Sequence, residues 1–170
     1  PGPYHSLINL YLDQERRNDA LLVCTKGLEH FPSDAGLYHQ YGWICYQIGD
    51  LDKAIKYYTK ALEFDPTYPE AHNDFGIALL VTGETDRAIE HYTKAIELNH
   101  PRLNWPYSNR GEARALLGDF AGALSDCSEA IKIDASYPTA FRIRAEVHRQ
   151  INNVDEAIAD YQKYIELGGW

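Results

Sequence analysis

The 170-residue chain contains no methionine, not even at residue 1, so we expect a segment of a longer or processed protein. It has no apolar run of the roughly 18 residues that a membrane helix needs, and no charged-then-apolar leader. The chain therefore reads as soluble, without membrane insertion; compartment is left open, with cytoplasm favoured. Positive charge is in deficit. A net charge of −9 and a pI near 5.2 argue against nucleic-acid phosphates or an anionic membrane as the main partner. Base-reading helical repeats need basic grooves, and this chain is acidic. Cysteine is scarce and oddly numbered: Cys24, Cys45 and Cys127 show no CxxC spacing and fall at small-residue positions. Buried free thiols are the expectation, and a Cys24–Cys45 bridge between neighbouring units is the alternative.

Catalytic signatures are missing as well. The seven histidines form no HExxH and no Cys/His ligand cluster, and no GxxxxGK, GxSxG or strand-borne GxGxxG occurs. Neither an enzyme, nor a metal site, nor a cofactor is expected. His5 and His39 hold equivalent places in successive units and read as solvated side chains.

What the chain does contain is itself, repeated. "GDLDKAIKYYTKALEFDP" at 49 returns as "GETDRAIEHYTKAIELNHP" at 83 and more loosely as "GDFAGALSDCSEAIKIDAS" at 118. Ala20, Ala54, Ala88, Ala123 and Ala157 recur every 34 residues, with one step of 35. Five units follow, 1–34, 35–68, 69–103, 104–137 and 138–170, with a single added residue near "HPRLNWP". A period of this length spreads the core along an axis, each unit buried by its neighbours, and leaves no second domain.

Each unit shows two helical stretches. Tyr38, Tyr41, Gly42 and Cys45 share one face, and Ala54, Tyr58 and Ala61 another. Between them "GD" at 49, "GE" at 83, "GD" at 118 and "NN" at 152 supply a residue to end one helix and another to cap the next. Asn153 with Glu156 spells a capping box, and Pro32, Pro66 and Pro101 should close the second helices of the first three units. Gly42, Gly76, Gly111 and Ala145 on first helices face the alanine column on second helices, so the two can approach closely. Tyr58 and Tyr92 should then fill the gap to the next unit.

At these residues the sequence resembles the tetratricopeptide repeat family: Tyr38, Tyr41, Gly42, Cys45, Ala54, Tyr58, Ala61 and Pro66 run in the family order, and Phe75, Gly76, Leu79, Ala88, Tyr92 and Ala95 repeat most of it. Units 1 and 5 depart at Ile8, Cys24 and Gly27, and at His148 and Tyr164. The resemblance implies an all-α, right-handed superhelical solenoid of five antiparallel helix pairs, its inner wall lined by the first helices. Units 4 and 5 carry Arg110 and Arg144 where units 1 to 3 have Leu7, Tyr41 and Phe75, and they alone carry aspartate 16 residues later, Asp126 and Asp160. We read Arg110–Asp126 and Arg144–Asp160 as structural ion pairs, with arginines displayed to a ligand as the alternative.

By the same resemblance the groove row comprises His5, Asn9 and Leu12; His39, Trp43 and Tyr46; Asn73, Ile77 and Leu80; Ser108, Glu112 and Ala115; and Arg142, Glu146 and Arg149. Within it, Trp43, Tyr46, Ile77 and Leu80 are read as an apolar partner site off the packing face. Six of nine arginines fall between 102 and 149, while residues 1–100 hold 8 basic against 15 acidic side chains, so a peptide with an acidic end is expected to match the second half. Family members that hold acidic chaperone C-termini use a lysine and asparagine set that this chain does not reproduce. A protein- or peptide-binding adaptor is the leading expectation. A scaffold that forms homo-oligomers through its ends is the alternative, suggested by Ile158, Tyr161 and Ile165 at an uncovered C-terminal end, "YIELGGW". A third is a regulatory segment of an enzyme.

Overall fold

The computed structural model describes residues 1–169; Trp170, which closes the expected fifth unit, lies outside the described residues. The ten helices among them are α1 Gly2–Asp13, α2 Arg17–His30, α3 Ala35–Gln47, α4 Leu51–Phe64, α5 Pro69–Val81, α6 Thr85–Glu97, α7 Asn104–Leu116, α8 Phe120–Ile133, α9 Pro138–Gln150 and α10 Val154–Glu166. No strand occurs among the described residues. Odd and even helices form five antiparallel pairs, each even helix packs on the following odd one, and α3, α5, α7 and α9 touch in succession. The odd helices therefore make a continuous inner wall.

Missing side chains set the spacing within a pair. A Cβ placed on Gly42 would meet the Tyr58 ring at 2.8 Å, and one on Gly76 would meet Tyr92 at 2.6 Å. On Gly111 it would meet Cys127 Sγ at 2.9 Å. Opposite them Ala54, Ala88 and Ala123 are fully buried. Tyr58 and Tyr92 lie over the glycines of their own pairs, and Tyr58 also reaches Phe75 of the next unit, with ring centroids 6.2 Å apart. The large rings thus seal the pair and the joint together.

The turn inside each pair is a Schellman motif. Asp50 N–H donates to the Cys45 carbonyl and Gly49 N–H to that of Tyr46, with Gly49 at φ 82°. The same two bonds recur at Gly83, at Gly118, at Asn152 with φ 63° and, unforeseen, at Glu15 with φ 58°. Asp50 and Asp119 also cap the following helix through their side chains. Asn153 does not, so the expected capping box is absent: its backbone N–H, which Glu156 would have to engage, already donates to the His148 carbonyl at 2.8 Å. Pro32 and Pro66 follow their helices closely, but α6 ends at Glu97 in a further Schellman turn at Asn99, well before Pro101. The linker that results, 98–103, is six residues long where those at 31–34, 65–68 and 134–137 have four.

Adding a methyl group at Gly76 should raise helix propensity by ~1 kcal/mol yet force the buried Tyr92 ring outward. We expect Gly76→Ala to lose ~1–3 kcal/mol in chemical denaturation. A gain in stability would show that the α5–α6 approach is not set by this residue.

Candidate functional site

Polar side chains on the inner wall pair with the next odd helix. His5 Nδ1 donates to Gln40 Oε1 at 2.6 Å, and Gln40 Nε2 donates to Asn9 Oδ1 at 3.0 Å. His39 Nε2 donates to Asp74 at 2.9 Å, and its Nδ1 shares a hydrogen bond with the Tyr68 hydroxyl at 3.2 Å. Asn109 donates to Asn73 Oδ1 at 3.0 Å. Arg142 donates to Glu112 at 3.2 Å.

This ladder changes the reading of several groove residues. Asn73 is fully buried, its amide divided between Asp74 and Asn109, so it is not displayed to a ligand. Tyr46, Ile77 and Leu80 are half-buried against the central core rather than off the packing face. Trp43 packs on that core and on the N-terminal one as well, yet also faces open space.

That space is a groove of about 950 Å³. One side is built by His5, Asn9, Leu12 and Asp13 of α1, the floor by Gly36, His39, Gln40 and Trp43 of α3. Tyr68, Glu70 and Asp74 lead into α5, and the far side is His100, Pro101, Arg102 and Trp105. The long linker supplies this far wall. His100 Nδ1 accepts from Arg102 N–H at 3.0 Å, and the Arg102 guanidinium lies 4.4 Å from the Trp105 ring centre. Of the expected groove row, His5, Asn9, Leu12, His39 and Trp43 line this groove. Glu112 and Arg142 border a separate hollow of about 150 Å³, and Arg149 lines neither. Sequence reasoning saw the added residue near Pro101 but not its consequence.

The arginines of the second half are engaged internally. Arg110 Nε and Nη2 clasp Asp126 at 2.9 and 2.8 Å, with Nη1 on Thr93 of the preceding unit at 3.0 Å. Arg144 clasps Asp160 at 2.7 Å through both nitrogens and reaches Ser128 at 3.2 Å. Arg114 adds a second guanidinium to Asp126 at 2.8 Å, which the spacing did not reveal. Arg149 holds Glu146 at 2.8 Å. Among the described residues, Arg102 is the one arginine between 102 and 149 without a carboxylate partner. This pairing counts against the expectation that the second half attracts an acidic peptide end, since Arg102 apart its guanidinium groups already have carboxylate partners.

Cys24, Cys45 and Cys127 are free and buried, and no bridge joins the first two. Burial pushes the Cys24 and Cys127 thiols up to about 12 and that of Cys45 to about 11, far from the range of reactive thiolates. Under α5, His72 donates through Nε2 to the Pro66 carbonyl, so its Nδ1 accepts from His91 Nδ1 at 3.0 Å. Burial lowers both pKa values, that of His91 to about 4. Among the described residues no group of three or more His, Cys, Asp or Glu could hold a metal ion, and no helix is long and apolar enough to cross a membrane.

A model of the TPR repeat matches residues 42–83, and one of the tetratricopeptide repeat matches residues 73–138 and 117–169. The chain belongs to the tetratricopeptide repeat family. Among relatives of this TPR chain, DnaJ homolog subfamily C member 7 of Mus musculus is 35% identical over 57 residues, 34% of this chain and 12% of that protein. This match spans only about an eighth of the relative's length. Two solved structures share the fold. The pilF protein of Pseudomonas aeruginosa superposes with a TM-score of 0.91 at 19% identity, covering 99% of this chain and 77% of that one. YrrB, described as a TPR protein with an unusual peptide-binding site, superposes with a TM-score of 0.78 at 22% identity, covering 97% and 84%.

Two outcomes test these assignments. Arg144→Leu should destabilise the protein more than Arg144→Leu combined with Asp160→Leu, because the single change strands a carboxylate that is only 9% exposed; additive losses in thermal unfolding would mean that the two groups do not interact. The His72–His91 pair is held neutral, while in the unfolded chain both protonate as pH falls through about 6.5. Its contribution is complete above that pH and is lost as pH falls toward the folded value of His91, about 4. The melting temperature should drop between pH 7 and pH 5, and His91→Leu should drop less; an equal drop would remove this pair as a cause.

Proposed function

We propose that this TPR chain is a non-catalytic adaptor that binds an extended segment of another protein in the groove between α1, α3 and the 98–103 linker. The observation that carries the reading is the groove itself: about 950 Å³ of open concave space, walled by odd helices and their linkers, with Trp43 and Trp105 on its surface. Half-buried aromatic rings in such a hollow are the side chains that anchor partners most strongly. A second reading, self-association through the ends, is favoured by α10, where Ile158 and Ile165 are 50% and 64% exposed. The equivalent Ile55 and Leu62 of α4 are half-buried against the next unit. Light scattering separates the two, since a monomer at high concentration removes the scaffold reading.

The direct test selects binders from a displayed random-peptide library and measures them against variants by anisotropy. Trp43→Ala and Trp105→Ala should each weaken binding by about thirtyfold, ~2 kcal/mol. Trp43 also supports two core clusters, so its unfolding must be followed in parallel; Trp105 lies outside the buried clusters and tests the groove independently. Full affinity in Trp105→Ala, with only stability lost in Trp43→Ala, would make these residues wall rather than site.

A further inference from the structure

Resting on that reading, we propose that the occupant is a cationic segment, carrying lysine or arginine beside an apolar side chain. The groove wall bears three carboxylates, Asp13, Glu70 and Asp74, against one guanidinium, Arg102. None of the three is paired with a lysine or arginine. Asp13 and Glu70 have no hydrogen-bond or ion-pair partner among the described residues. Asp74 is held by the neutral amide of Asn73 and by the His39 ring, whose second nitrogen meets the Tyr68 hydroxyl. Arg102 is already stacked on Trp105, and the linker hydrogen bond to His100 holds that arrangement.

Placement strengthens the bias. Asp13 ends α1, where the aligned carbonyls already make the helix terminus negative, so a cation there gains from both. The field is also felt by neighbouring groups. Burial first, then Glu70, Asp74, Asp34 and Asp65, push the Tyr68 phenol up to about 12. Residues 1–100 hold 15 acidic against 8 basic side chains, and most of the groove wall comes from this half. A concave wall on which negative charge predominates focuses that field on whatever enters. Trp43 and Leu12 offer apolar surface for the stem of a lysine or arginine whose head reaches the carboxylates. An acidic segment would meet only Arg102, because the other arginines of the second half are paired.

The experiment uses the whole chain and a displayed library of random nonapeptides, followed by anisotropy with the best binder and its Lys/Arg→Gln counterpart. We expect enrichment of lysine or arginine next to an apolar position, and affinity that falls with added salt. The double variant Asp13→Asn with Glu70→Gln should bind about tenfold more weakly with its unfolding midpoint retained. Binders that require Trp43 or Trp105 but are neutral or acidic would overturn this inference and leave the adaptor reading standing. So would an unchanged affinity in the double variant. A library that yields no binder sensitive to Trp43 or Trp105 would overturn both.

Discussion

Everything in this solenoid follows from how closely two helices of a pair can lie. At Gly42, Gly76 and Gly111 even a methyl group would collide with a buried neighbour, and the facing alanines leave no slack on the other side. That approach puts Tyr58 and Tyr92 across the pair instead of beside it, and the Tyr58 ring also meets Phe75 of the next unit. Because such packing is dense, the offset from one unit to the next is set by side-chain shape rather than by the connecting loops. The odd helices then fall on one side and form a wall, which carries the groove proposed as the binding site.

Polar side chains run along the whole of that wall, and the long linker sets its two halves apart. From α5 to α9 several inward groups pair with one another: Asn73 with Asn109, Glu112 with Arg142, and Arg149 with Glu146 on the same helix. Bidentate arginine–aspartate clasps close units 4 and 5 each within itself, and the two arginines also reach a hydroxyl on the previous even helix, Thr93 of α6 and Ser128 of α8. Toward the N-terminus the ladder continues through His5, Gln40 and Asn9 and through His39 and Asp74, and there the linker at 98–103 stands across the space as a second wall. One extra residue in the repeat therefore turns a shallow curve into a groove with two sides.

How much of this was legible beforehand depends on the range of the interaction. The glycine and alanine columns and the Schellman turns are local or recur in every unit, so one sequence supplies its own alignment. The clasps were legible for the same reason: Arg110 and Arg144 replace apolar residues only where Asp126 and Asp160 also appear. Contacts between successive odd helices were not, because partners such as His39 and Asp74, or Arg142 and Glu112, are set by the superhelical twist and lie 35 and 30 residues apart. That twist buried Asn73 and drew Ile77 and Leu80 onto the core. The capping box failed on a competition local in sequence but dependent on the turn, since the Schellman bond had already taken the Asn153 N–H.

The central claim is that recognition occurs on the inner wall at its N-terminal half, between α1, α3 and the long linker. Backbone amide chemical-shift mapping of the isotope-labelled chain, titrated with a library-selected peptide, addresses it most directly. The account predicts shifts concentrated at residues 5–13, 36–43, 68–74 and 100–105, with the even helices unperturbed. Shifts concentrated on α2, α4 and α6, or confined to α10, would contradict it.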